Sequence, residues 1–422
     1  MTVATATYPS RIPTLDIVRG VAVMGILVMN IVAFAMPFPA YANPAAYGGD
    51  TGLDYASWVF NFLIFDGKMR GLFSILFGAS TLLVIERASA SSRAAVSDRN
   101  GAKAHYARMI VLLGFGLIHF YFIWFGDVLA LYALCGILLY FFRNKSPRGL
   151  VRWAVAFLSL SVIYFGLIGL TGALAGYPDL PRDTAANMIE SRNVIESEVG
   201  AGSPKITSDL ALYRSDYATI VDSRLNDRRY EPFLSFFGFG LETLGLMFLG
   251  MAMFKSGFLT GQWDPARYRR WALRSSAIAL PPLAFLAWWQ ASAGFDAIRV
   301  FLAFLALSVP FDVLMAVGWA AAIIWWVKVG PMPALKDRVA AAGRMAFTNY
   351  LATSIVMTSI FYGYGLNLFG EVSRATLWLF VLGMWALMLL WSKPWLDRFH
   401  YGPLEWLWRS LSRLRLQPLR KT

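Results

Sequence analysis

The chain holds one cysteine and three histidines in 422 residues. The single thiol, Cys135, cannot close an intrachain disulfide, so the fold does not depend on an oxidising compartment. So few ligands also argue against a His/Cys metal cluster, and no metal is expected. Charge is scarce as well: Asp, Glu, Lys and Arg make up 15% of the residues, against 58% hydrophobic. That balance excludes a disordered chain and an ordinary soluble domain, whose helices would be polar on one face. Acid is scarcer than base, leaving a net charge of +13. A nucleic-acid partner is not expected, because of where the basic residues fall. The opening MTVATATYPSRIP has no apolar core and no cleavage motif, so it does not read as a signal peptide.

What is present is one apolar run after another, many apolar all round for about 20 residues, the length that crosses a bilayer. Ten candidate spans are predicted, at 14–36, 68–87, 106–125, 127–142, 151–174, 233–254, 271–291, 297–327, 343–363 and 374–392. The fold class is all-α, a polytopic transmembrane helical bundle. The eighth span contains Pro310 and is expected to kink. The stretch 53–65 is too short to span; it either lies in the outer interface or extends the second helix. Lys and Arg collect in alternate loops: 88–105 (Arg93, Arg99, Lys103), 143–150, 255–270, 328–342 and the tail after 392. The loop at 37–52 has none. Positive residues are retained on the cytoplasmic side, which predicts both termini cytoplasmic and a bilayer as the partner that the +13 serves.

Four parts follow: an N-terminal helical half (1–174), an external polar segment (175–232), a C-terminal helical half (233–392) and a basic tail (393–422). The external segment carries two amphipathic helical patterns, DTAANMIESRNVIESE and SDLALYRSDYATIVDSRL. The tail WLDRFHYGPLEWLWRSLSR is amphipathic, Trp-rich and basic, suited to lying on the inner surface. There is no internal repeat.

Ionisable groups inside spans are costly and call for partners. Asp16 and Arg19 share a helix face and can pair. Asn30 lies on the same face about 16 Å higher. Gly20 and Gly25 permit close approach of another helix. Gly126 and Asp127 mark an external hairpin turn, with Asp127 placed to cap the next helix. His119 lies roughly 10 Å below that turn on a regular helix, which argues against a direct bond to Asp127. A buried neutral imidazole near a carboxylate is nonetheless a competent general base. Asp66, Lys68 and Arg70 fall at the same external level, so six polar groups are expected to converge there. Glu242 and Asp312 are buried in later spans; Arg344 and Asn349 lie near the cytoplasmic start of the ninth.

The blocks LDIVRGVAVMGILVMNI, GKMRGLFSILFGAS, GLIHFYFIWFGDVLALYALCGILL, GRMAFTNYLATSIVMTSIFYGYG and WLDRFHYGPLEWLWR together resemble the YeiB-like family of bacterial membrane proteins, over residues 11–409 apart from the external segment. That family looks like a branch of the transmembrane acyltransferase superfamily. The resemblance implies a multi-pass protein of the bacterial plasma membrane. It would move an acyl group, such as acetyl, from cytoplasmic acyl-CoA or acetyl-CoA as co-substrate to an acceptor on the far side. The acceptor is a glycan, a lipid or a small metabolite, and a homo-oligomer is compatible. The heparan branch of that superfamily carries a catalytic His in the loop after the first span; residues 31–104 contain none, so His119 is the intramembrane candidate. The expected assignments are His119, Asn30 and Asp127 as catalytic, Arg19, Arg344 and Asn349 toward the CoA moiety, and Asp66, Lys68 and Arg70 toward the acceptor. The alternative is a transporter or exporter that uses Asp16, Glu242 and Asp312.

Overall fold

The computed structural model describes residues 12–90, 94–175 and 182–421. Residues 1–11 of the stretch read as lacking a signal peptide, the loop residues Arg93 and Asp179, and the side chains of Arg99, Arg182 and Asp183 lie outside the described residues. Every extended element among the described residues is helical. Helix α1 (Pro13–Ala35) has Pro in its first turn, where the missing N–H costs nothing. It is the axis of the bundle: 78% of its apolar window is buried, against 22% for the sixth helix described below. A 3₁₀ turn at Phe38–Tyr41 leads to α2 (Gly52–Ile64), which turns at Gly67 into α3 (Lys68–Ala90). Gly67 has φ +73, a left-handed conformation that favours glycine. The stretch at 53–65 is therefore a separate helix set directly before the second span.

Next come α4 (Ala94–Ile118), a π-turn at His119–Ile123, α5 (Leu129–Leu139) and α6 (Pro147–Leu174). Ser146 caps α6 by accepting from the Gly149 N–H at 3.2 Å. Val155, Ile163 and Leu167 of α6 are more than half exposed, an apolar face that suits lipid. The polar segment 175–232 holds α7 (Arg182–Val199), α8 (Lys205–Tyr213) and α9 (Tyr217–Asn226). The second amphipathic pattern thus splits in two, because Asp216 accepts from the Thr219 N–H at 3.0 Å and starts a new helix. This segment is a cap fastened to the bundle. Asp209 accepts from the Phe38 N–H at 2.8 Å, and Tyr217 donates to the Phe122 carbonyl at 2.8 Å.

The C-terminal half contains α10 (Glu231–Lys255), α11 (Pro265–Ala291), α12 (Ala297–Leu302), a π-turn at Ala303–Leu307, α13 (Val309–Val329), α14 (Pro333–Arg344), α15 (Ala346–Phe361), α16 (Leu377–Arg398) and α17 (Pro403–Ser412). The span expected to kink at Pro310 is broken just before it: the π-turn ends at Leu307, and Pro310 lies in the first turn of α13. Seven helical stretches are long and apolar enough to cross a membrane, and three shorter apolar ones supplement them. The protein is an all-α, polytopic membrane bundle of about ten spans.

One expectation needs correction. The segment 328–342, read as a loop, is mostly helix α14, and it packs against α1 at backbone distance. A Cβ on Gly343 would lie 1.9 Å from the Asp16 carbonyl oxygen, and one on Gly20 would lie 2.1 Å from that of Val339. Gly20 does permit close approach, and α14 is what approaches. The tail helix α17 packs on the bundle. It turns inward, where Trp408 donates from its indole to the Arg108 carbonyl at 3.0 Å and stacks under that guanidinium at 4.1 Å.

Candidate active site and the basic cavity

A cavity of about 430 Å³ opens among α1, α3, α4, α15 and α17. This lies within the size range of small-molecule sites. Arg19, Arg87, Arg108, Arg344 and Arg409 line it with His105 and His400, against only Asp16 and Glu405. Arg19 pairs with Asp16 at 3.2 Å and donates to the Ser80 hydroxyl at 2.9 Å. Arg344 reaches the His400 carbonyl at 3.5 Å. Burial, with Arg413 adding to it, pulls the Arg409 guanidinium below its ordinary pKa. A chamber with this excess of cations favours an anion.

Glu405 is committed elsewhere. Its carboxylate accepts from the backbone N–H groups of Phe347 (2.8 Å) and Thr348 (3.1 Å) and from the Thr348 hydroxyl (2.5 Å). It therefore caps α15 from a distant part of the chain, satisfying N–H groups that a helix start leaves open. Burial pushes this carboxyl up, against the downward pull of the Thr348 hydroxyl and of the backbone amides.

Tyr350 lines the cavity. The same residue lines a second gap of about 10 Å³, with Asn30, Thr353 and Ser354 around it. His119 lies against Tyr350, with ring centroids 5.2 Å apart. It is fully buried, and its Nδ1 lies 2.8 Å from Asp127 Oδ1. The direct bond that regular helix spacing argued against is made. The π-turn explains it: the Trp124 N–H reaches back five residues to the His119 carbonyl at 2.8 Å, and the chain then folds sharply back. Gly116 allows the fold-back, since a Cβ there would lie 2.4 Å from the Ala130 nitrogen.

The second Asp127 oxygen accepts from the Ala130 N–H at 2.8 Å and so starts α5, as its position in the sequence suggested. A carboxylate only accepts, so Nδ1 carries the proton. Nε2 is then a bare lone pair, and it has no hydrogen-bond partner among the described residues. An imidazole oriented in this way is a ready proton acceptor.

The remaining assigned residues divide. Lys68 contacts Asp312 at 2.6 Å and also donates to the Phe62 carbonyl. Arg70 donates to both Glu242 oxygens, at 3.0 and 3.3 Å. Asp66 is buried at the turn that precedes them. No hydrogen bond or ion pair joins these three to His119 or Asp127 among the described residues. Arg344 and Asn349 also part company, because Met345 breaks the helix between them. Arg344 lines the cavity, whereas Asn349 is buried away from it. The Asn349 amide donates to the Ala342 carbonyl and the Ser392 hydroxyl and accepts from the Trp391 indole. Sequence reasoning overlooked Tyr350, Arg108, Arg409 and Glu405. The basic WLWRSLSR pattern was visible, but not its inward orientation.

A family profile described as a protein of unknown function (DUF418) matches residues 253–415. The chain is 31% identical to the uncharacterized protein YeiB of Escherichia coli (strain K12), over 94% of this chain and 95% of the relative. It is 30% identical to the uncharacterized protein YxaH of Bacillus subtilis (strain 168), over 97% and 96%. A further relative is the uncharacterized 39.9 kDa protein in the amylase 3′ region of Bacillus acidopullulyticus, 25% identical over 97% and 96%. No solved structure matches. With the second half carrying the family profile and full-length relatives in three bacteria, the chain belongs to the YeiB-like, DUF418 family of bacterial membrane proteins.

Proposed function

We propose that the protein is a membrane acyltransferase that takes acyl-CoA into the basic cavity and passes its acyl group to an acceptor activated by His119. The observation that carries this reading is the buried His119–Asp127 pair with its bare Nε2, one tyrosine ring away from a chamber lined by five arginines. The acceptor hydroxyl or amine gives its proton to Nε2 as its oxygen or nitrogen attacks the thioester carbonyl. The C–S bond breaks, and the departing thiolate takes the proton back from the imidazolium. Asp127 holds the ring and stabilises its transient positive charge. Asn30, which lines the gap beside Tyr350, would donate to the carbonyl oxygen, and the arginines would hold the phosphates of CoA. Movement of Tyr350 would join the two spaces. The loop charges favour a cytoplasmic cavity mouth, both termini cytoplasmic and the cap on the outer face of the plasma membrane.

The exporter alternative has less support, because Asp16, Glu242 and Asp312 each hold a cation. The test is thioester turnover by purified protein given acetyl-CoA and a membrane extract as acceptor source. His119→Ala should abolish turnover while the protein still inserts and melts normally. Full activity in that variant would remove the base from the mechanism.

A further inference from the structure

Arg224, on cap helix α9, is 1% exposed. Its Nε and Nη2 have no hydrogen-bond partner, and it makes no ion pair among the described residues. These two nitrogens form one edge of the guanidinium, the edge that meets two oxygens of an anion side-on. Beside it stands Tyr362, its ring centroid 6.0 Å from the Arg224 carbon. Tyr362 is fully buried, and its hydroxyl is unpartnered too.

A buried guanidinium without a counterion is costly to keep. The same segment has acids to offer and uses them one turn away, where Arg228 is held by both Glu231 oxygens at 2.7 Å and by the Tyr213 hydroxyl at 3.0 Å. Arg224 is left with its bidentate edge open. The place is continuous with the candidate base: Tyr362 packs on Tyr213, Tyr213 on Phe125, Phe125 on Trp124, and Trp124 on His119. The cap is also bonded to the π-turn that carries His119, through Tyr217 to the Phe122 carbonyl and through Tyr121 to that of Arg229.

We propose that Arg224 and Tyr362 form a phosphate subsite beneath the external cap, which anchors an acceptor bearing a phosphate group. Two phosphate oxygens take the Nε and Nη2 edge and a third takes the Tyr362 hydroxyl; a carboxylate, with two oxygens, leaves that hydroxyl unused. Only the word acceptor rests on the acyltransfer reading. The subsite stands on the unpartnered groups themselves, and its test contains no acyl donor. Phosphate binding without thioester turnover would therefore overturn the reaction and leave the subsite in place.

The experiment is thermal-shift titration of the purified full chain in a neutral detergent, with glycerol 3-phosphate as the free probe, dioctanoyl phosphatidylglycerol as the lipid probe and acetate as the carboxylate control. At least one phosphate probe should stabilise the protein saturably, acetate much less. Arg224→Gln should weaken that binding by about 30-fold or more, the scale for removing one partner of a buried charge pair. Arg229→Gln, an exposed neighbour, should leave it unchanged. A response to the lipid probe alone assigns the phosphate to a headgroup; a response to both assigns it to a soluble ester. No response to either probe, or equal affinity in Arg224→Gln, overturns the proposal. Should Arg224→Gln fail to fold, Tyr362→Phe keeps the ring and decides the matter: several-fold weaker binding supports the subsite, unchanged binding overturns it.

Discussion

Replacing Asp127 by Asn tests the site without knowledge of the acceptor. The carboxylate serves two donors at once, the His119 Nδ1–H and the Ala130 N–H, each at 2.8 Å. An amide at this position has one acceptor oxygen and one donor nitrogen, so it cannot serve both. If the oxygen stays on Ala130, the NH₂ faces Nδ1 and drives the imidazole to its other tautomer, with the proton on Nε2 and the base lost. The equivalent exchange in a Ser-His-Asp triad lowers turnover by about 10⁴-fold for this reason. One charge-assisted bond disappears in either arrangement, at roughly 1.5–3 kcal/mol of stability. The chain contains only three histidines, so ¹⁵N-histidine NMR in detergent can follow each ring. His105 supplies an internal reference of opposite sense, because its Nε2 faces the Gly136 carbonyl at 3.0 Å and must carry the proton. The wild type should show His119 protonated at Nδ1, and Asp127→Asn should show it protonated at Nε2, with His105 unchanged. An unaltered His119 tautomer together with unaltered thermal stability would refute the reasoning.

Lys68→Met should destabilise the protein by about 3–5 kcal/mol by leaving Asp312 buried without its cation, and Lys68→Met with Asp312→Leu should recover most of that; melting in detergent compares the two. Gly343→Ala puts a methyl 1.9 Å from the Asp16 carbonyl and 2.5 Å from the Gly20 nitrogen, both backbone atoms that cannot step aside. A cost of about 1–3 kcal/mol follows, with α14 displaced from α1, visible as a lower melting temperature. For Glu405, burial holds the docked carboxyl above its ordinary value of 4.5, so the docked tail keeps a proton that the undocked tail has released. Docking of α17 is therefore strongest below pH 4.5 and weakens as pH rises through the docked value. Hydrogen exchange, corrected for intrinsic rates, should show better protection of α17 amides at pH 5 than at pH 7, and the opposite trend would contradict the assignment.

The span count and helix positions were legible because the bilayer imposes one length and internal satisfaction of backbone groups on every crossing segment. The Asp16–Arg19 pair and the close approach at Gly20 were legible because the first lies within a turn and the second follows from a missing Cβ. What escaped the sequence reading involves departures from regular geometry and long-range contacts. The π-turn adds a residue to one helical turn, so 1.5 Å per residue misplaces His119 relative to Asp127. α14 looked like a loop because its helix carries Lys336, Asp337 and Arg338. Lys68 with Asp312 and Arg70 with Glu242 are separated by well over a hundred residues, and neither pairing has a local signature. The inward turn of α17 depends on Glu405 finding the start of α15, a contact 57 residues away.

The widened turn at His119–Ile123 also bears on how this segment tolerates changes in length. Deleting a single residue there would let the ladder close as ordinary α-helix, the regular spacing that argues against the His119–Asp127 bond. The imidazole and the carboxylate would then face different directions, although both would still be encoded. Side-chain exchanges along these five positions should be graded in severity, whereas any one-residue deletion should be uniformly disabling, so register here constrains the chain more tightly than composition does.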